Sequence, residues 1–304
     1  MKKILLFSIL IIIIPYIIVS IFIQDKEIKF EYVSNITVRV KRNEKNVIEV
    51  IPLEKYVQGV VAGEMPVSFE LEALKAQAVA ARSYVMKHME YNKENDYDVV
   101  DTVVNQVYLD EDYLKEAWKD KYVEKINKIK TAIIETKGEY LLYDDKIVDA
   151  LFFSTSVGKT ENCEEIFDTS VPYLKSVESS WDSKTSPVFS ETTTFTKKDF
   201  YEKLGLEISG KLKIKVNSTT STGRIKEIVI NGKSFSSTEV RTKLGIKSTY
   251  FNISENDKNI VVTTKGYGHG VGMSQYGAEG MAKEGYTYDQ ILKYYYQGVE
   301  IKQI

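Results

Sequence analysis

The chain has 304 residues, room for one large domain or two small ones. Apolar residues make up 43% and charged residues 28%, a composition that supports a packed core and excludes wholesale disorder. Lys plus Arg, 41, nearly balances Asp plus Glu, 43, which argues against a nucleic-acid binder. One cysteine excludes an internal disulfide and a Cys-only zinc site, and two histidines argue against a His-rich metal centre.

The first element is a charge-free apolar block, residues 4–23, behind Lys2 and Lys3. A helix of that length spans about 30 Å, the thickness of a bilayer core. It is longer than a signal-peptide core, and Gln24-Asp25-Lys26-Glu27 follows without a small-x-small cleavage site. The block therefore predicts an uncleaved, single-pass anchor. Lys2 and Lys3 place the N-terminus in the cytoplasm and residues 24–304 outside it. In that compartment Cys163 is a lone thiol.

Residues 36–51 predict a hairpin about Arg42-Asn43-Glu44-Lys45. A short helix follows over 53–62, ended by Gly63 and Pro66. Ser68 is a candidate N-cap for a long helix over about 70–91. Its face Leu74, Ala78, Ala81, Val85 and Met89 predicts burial, and its many alanines predict a closely packed neighbour. A second amphipathic helix covers 121–137, stopped by Gly138. A hairpin is expected about Asp144-Asp145, pairing EYLLY with IVDALFF. Residues 190–260 turn rich in Thr, Ser and Lys with β-like runs, which suggests a smaller lobe or a large excursion. The chain closes with a glycine-rich loop, KGYGHGVGMSQYG, and a helix over 288–296.

Two motifs fail on spacing. VGKT at 157–160 has Phe153 where a phosphate-binding loop needs its first glycine. GMSQYG, around Ser274, is one residue too long for a nucleophile elbow. The alternating Gly266, Gly268, Gly270 and Gly272 fit equally a loop needing positive φ and a loop admitting a bulky polymer. His88 reads as a packed side chain. His269, flanked by glycines, fits packing and the orienting of a substrate hydroxyl equally.

The stretch YVQGVVAGEMPVSFELEALKAQAVAARSYV, residues 56–85, resembles the signature of the stage II sporulation protein D family. The resemblance continues in order through STSVGKTEN, VPYLKSVES, EVRTKLGIKST and GYGHGVGMSQYGA. It implies a lytic transglycosylase that cleaves peptidoglycan between N-acetylmuramic acid and N-acetylglucosamine during engulfment, leaving 1,6-anhydro ends. By motif, the catalytic acid is Glu64. Arg82, Tyr173 and Lys175 are further residues associated with activity, expected on the substrate. His269 is expected to join them. A single carboxyl suffices in such chemistry, because the sugar's own 6-hydroxyl attacks in place of water. Glu64 then needs a raised pKa, to which Val60, Val61 and Met65 could contribute by desolvation. An arginine close by would oppose that, so Arg82 is expected to act on the substrate, or on Glu64 only after proton donation.

The implied fold is α+β: a two-lobed ectodomain, residues 24–304, around an open groove, preceded by one transmembrane helix within residues 1–23. The implied partners are peptide-stripped glycan, a sporulation amidase (stage II sporulation protein P) and a multipass membrane protein (stage II sporulation protein M). Some relatives bind zinc through Cys and His side chains, and several carry His where this chain has Phe153. With a single Cys163, no zinc and no cofactor are expected. Proteins similar in this domain include amidase enhancers, so a non-catalytic, glycan-binding activator of an amidase is the alternative.

Overall fold

The computed structural model describes residues 26–32, 35–208 and 210–304. The expected span, residues 4–23, lies outside them. No helix among the described residues is long and apolar enough to cross a membrane. The architecture is mixed α and β.

β1 (Thr37–Arg42) and β2 (Val47–Pro52) form the expected antiparallel hairpin, in register Val40↔Glu49. Side chains alternate across a strand, and in β1 this sends Val38 and Val40 inward. α1 (Leu53–Glu64) follows directly. It ends at Glu64 because Pro66 disfavours helical backbone at the residue before it, and Met65 is extended, with φ −121° and ψ 141°.

α2 (Leu71–Tyr91) begins after Glu70; Ser68 is exposed in the preceding turn and does not cap it. The Glu70 amide instead donates to Glu279 at 2.7 Å. The single apolar face expected of α2 is too narrow a description. From Ala73 to Val85 all but Lys75 are buried, because small side chains let neighbours approach from every side. Met89, at the far end, is only half-buried.

β3 (Val99–Val100) adds in parallel to β1. α3 (Glu111–Trp118), capped by Asp110, has no counterpart in the sequence expectation. α4 (Tyr122–Glu135) is the second amphipathic helix, with Ile126 and Ile133 inward, Val123 half-buried and Ile134 turned out. β4 (Glu139–Tyr143) and β5 (Lys146–Ile147) close on Asp144 and Asp145, at φ 50° and 56°, the positive angles of a two-residue hairpin turn. IVDALFF does not continue as one strand. After Val148 the chain turns, and β6 (Phe152–Phe153) pairs elsewhere.

Residues 190–265 contain β7 (Ser190–Thr196), α5 (Lys197–Leu204), β8 (Ile214–Thr219), β9 (Ile225–Ile230), β10 (Lys233–Ser236), α6 (Ser237–Leu244), β11 (Phe251–Glu255) and β12 (Asn259–Lys265). They form two three-stranded sheets, β10-β9-β8 and β11-β12-β7. Their buried side chains, Phe195 to Val262, make a hydrophobic core separate from the main one.

The chain then returns to the main core. β13 (Met273–Ser274) pairs in parallel with β6, and α7 (Gln275–Lys283) and α8 (Tyr288–Tyr295) pack near α2. β14 (Glu300–Gln303) completes the sheet β14-β4-β5.

Candidate active site

Glu64 is the last residue of α1 and is half-buried. Its Oε1 accepts a hydrogen bond from the Val107 amide at 2.7 Å, and its Oε2 lies 3.5 Å from Gln275 Nε2. Gln275 Nε2 also reaches Gln77 Oε1 at 3.4 Å. Val60 and Val61 are fully buried beside it and Met65 nearly so. Burial pushes the Glu64 carboxyl above its ordinary pKa, while the Val107 and Gln275 hydrogen bonds pull the other way. The C-terminal end of a helix is also an unfavourable place for negative charge. No ion pair reaches Glu64 among the described residues.

The Val107 donor is delivered by two glycines one turn apart on α1. A Cβ at Gly63 would stand 2.6 Å from the Val107 carbonyl oxygen, and one at Gly59 would stand 2.3 Å from the Tyr108 ring. Only glycine lets that loop lie directly on the helix. The glycine loop supplies Gln275 from the other side. Gly266, Gly268, Gly270 and Gly272 all have positive φ, and a Cβ on Gly272 would stand 2.0 Å from the Leu151 carbonyl oxygen. Backbone geometry and close approach therefore account for the alternation. Ser274, just after it, hydrogen-bonds the buried Asp182 and caps α7, so its hydroxyl is committed to structure.

Arg82 does not join this site. It is fully buried, with Nε 3.0 Å and Nη2 2.7 Å from the two oxygens of Glu54, and Nη1 2.7 Å from the Glu139 carbonyl. Glu54 also accepts from the Gly138 amide at 3.0 Å. Glu54 lies in the first turn of α1 and Glu64 at its end, about 15 Å apart at helical rise. The structure thus places Arg82, expected on the substrate, in a buried ion pair at the opposite end of α1 from Glu64. Its bonds to Glu54 and to the Glu139 carbonyl use three of the five guanidinium N–H groups, and the side chain is fully buried.

The remaining expected residues lie on other elements. Tyr173 is half-buried; its hydroxyl accepts from the Asp149 amide at 3.0 Å, and its ring lies 5.4 Å from that of Tyr143. Lys175 is held by Glu164 at 2.8 Å and by Ser170 at 3.2 Å. His269 Nδ1 accepts from the Val271 amide at 3.1 Å, and its ring sits between Phe153 and Phe167. Burial, with Arg224 and Arg241 nearby, lowers its pKa to about 4, so it is neutral at neutral pH.

The sequence reading missed Asp149 and Gln275. Burial raises the Asp149 carboxyl to about 6. Its Oδ1 lies 3.8 Å from His88 Nε2, and the His88 ring stacks on Tyr84 at 4.1 Å. Burial raises the Tyr84 hydroxyl to about 12, and the charges of both Asp149 and Glu64 act on it. His88, read as a packed side chain, thus stands between Tyr84 and a second carboxyl. Among the described residues no group of three or more His, Cys, Asp or Glu side chains could hold a metal ion.

Comparison with known proteins gives this site a family. A family model described as SpoIID, Stage II sporulation protein, matches residues 41–143, which include Glu64 and Val107. Stage II sporulation protein D of Bacillus subtilis (strain 168) is 46% identical over 275 residues, 89% of this chain and 80% of that protein. The protein of the same name from Bacillus amyloliquefaciens is 44% identical with the same coverage. An amidase enhancer of Bacillus subtilis (strain 168) is 31% identical over 81% of this chain, but only 40% of its own length is matched. On the strength of the long, high-identity matches, the chain belongs to the stage II sporulation protein D family, proteins of sporulation.

Proposed function

We propose that the chain is a membrane-anchored lytic transglycosylase that cleaves peptidoglycan glycan strands and leaves 1,6-anhydro-muramic ends. The observation that carries this reading is the setting of Glu64: a half-buried carboxyl of raised pKa, in reach of two neutral hydrogen-bond donors and, among the described residues, with no cation paired to it. In this reading the carboxyl enters the reaction in its protonated form, which burial favours, and gives its proton to the glycosidic oxygen as the bond to C1 breaks. The carboxylate left behind is steadied by the Val107 amide and Gln275. It then takes the proton of the sugar's 6-hydroxyl as that oxygen closes on C1. No second carboxylate is required to activate water. Residues 4–23 act as the anchor, with the remainder outside the cytoplasm, where the wall polymer is. The sporulation amidase that strips stem peptides is the matching partner, and the multipass membrane protein named above completes the set.

The test is product analysis. Full-length protein in detergent is incubated with peptide-stripped glycan strands, and 1,6-anhydro-muramic ends are quantified. Wild type is expected to make them, and Glu64→Gln to lose about 10²-fold or more, the scale of a general acid–base group. Equal product from Glu64→Gln would sink the assignment of Glu64. The relative named amidase enhancer supports a second reading, a glycan-binding activator of an amidase. Amidase stimulation by a Glu64→Gln protein that makes no anhydro ends would favour it.

A further inference from the structure

A cavity of about 360 Å³ opens where the second core meets the main one. One wall comes from β9 and α6, through Lys226, Thr238 and Arg241. The other comes from Phe167 and from His269 at the tip of the glycine loop. Glu64 does not line it.

Arg241 is the informative residue. It is half-buried, and among the described residues no carboxylate pairs with its guanidinium and no hydrogen bond satisfies it. Burial lowers its pKa, which is the signature of a charge held without an anion. Other buried arginines of this protein are not left so: Arg82 has Glu54, and Arg42 is within 3 Å of Glu49, Asp101 and Asp110. A planar fork of donors left open in a cavity matches one carboxylate.

The other walls set the rest of the ligand. Phe167 is 46% exposed and meets the His269 ring edge-on at 5.6 Å, an apolar surface for a pyranose face or a methyl group. His269 is neutral, and Thr238 offers a hydroxyl. Glu165 and Asp168 balance the charges of Lys226 and Arg241 around the rim, which disfavours a polyanion. Glu165 is held through both oxygens by Ser221, and among the described residues no ion pair joins it to Arg241.

We infer that this cavity is a subsite for a carboxylate-bearing unit of the wall polymer, with Arg241 gripping the carboxylate and Phe167 and His269 forming the apolar wall. The inference rests on the glycan-cleaving reading above and adds the part of the polymer recognised. Two groups supply this chemistry: the lactyl carboxylate of muramic acid and the carboxylates of the stem peptide.

The test is binding, not cleavage, and is done with full-length Glu64→Gln protein so that glycan survives. Three probes are compared by calorimetry: chitotetraose, which has no carboxylate; a peptide-stripped muramic-containing tetrasaccharide; and the same tetrasaccharide with its stem peptides. A carboxylate-bearing probe is expected to bind about tenfold or more tightly than chitotetraose, the scale of a charge-assisted pair. Preference already present without peptide assigns the lactyl group; preference appearing only with peptide assigns the stem. Arg241→Gln in the same background is expected to abolish the preference and leave chitotetraose binding unchanged. Arg241→Lys, which keeps the charge without the fork, is expected to fall between and serves if Arg241→Gln folds poorly. Equal affinity for all three probes, or an undiminished preference in both Arg241 variants, would overturn the inference. Because no product is measured, that failure is distinct from failure of the Glu64 assignment.

Discussion

Glu64 is governed by a contest between burial and two hydrogen bonds. An acid whose pKa is raised stays protonated to higher pH, and its activity is lost as pH climbs through that pKa. Gln275 favours the ionised form, so removing it should move the alkaline limb upward. Gln275→Leu is therefore expected to shift the falling side of the pH–rate profile to higher pH, with a plateau rate changed by less than about tenfold, the scale of one neutral hydrogen bond. An alkaline limb that stays in place or moves down would show that Gln275 does not act on Glu64. The motif made Glu64 legible in the sequence, but not this partner. Gln275 lies 211 positions away, in a segment whose evident feature was Ser274. Asp149 was hidden differently: nothing local to an aspartate between two apolar runs tells that burial will raise it to about 6.

At the scale of elements, some local determinants were legible, although α3 with its Asp110 cap was not. Positive-φ aspartates made the β4–β5 turn, and the Pro66 effect on Met65 ended α1. What periodicity could not give was the surroundings of α2, which is covered on nearly all sides, and hence the partner of Arg82. That pair ties the start of α1 to the middle of α2 and to the first residue of β4. Removing one member of such a buried pair strands the other charge, at a cost of about 3–5 kcal/mol. Arg82→Ala should accordingly lower the thermal midpoint by at least about 6 °C. The paired change Glu54→Leu with Arg82→Met should recover most of that loss and keep the cleavage rate of the folded fraction. If Arg82→Ala keeps its midpoint yet loses cleavage, Arg82 belongs with the substrate after all.

For the whole molecule, the change in composition after residue 190 marked where a second set of strands would lie, because Thr-, Ser- and Lys-rich β runs differ from the alanine-rich helical part. How the two cores are joined was not legible, since the joint is made by residues far apart in the chain. Glu161, in the STSVGKTEN run, is paired with Arg224, just before β9, at 3.0 Å; both are fully buried. Arg224 also donates to Ser248 and to the Gly268 carbonyl, each at 3.1 Å, and the Glu161 amide donates to the Gly270 carbonyl at 2.7 Å. One ion pair thus gathers the second core, the polar run and the glycine loop. Burial works against both charges, so the pair holds only while each has the other. Arg224→Met should release the second core without melting the first. In hydrogen exchange, amides of β7, β11 and β12 should lose about 10²-fold of their protection, the lower end of what a stranded charge costs. Those of α2 between Ala73 and Val85 should keep theirs. Equal loss in both cores would mean that the pair supports global stability alone, and no loss in either would mean that it does not join them.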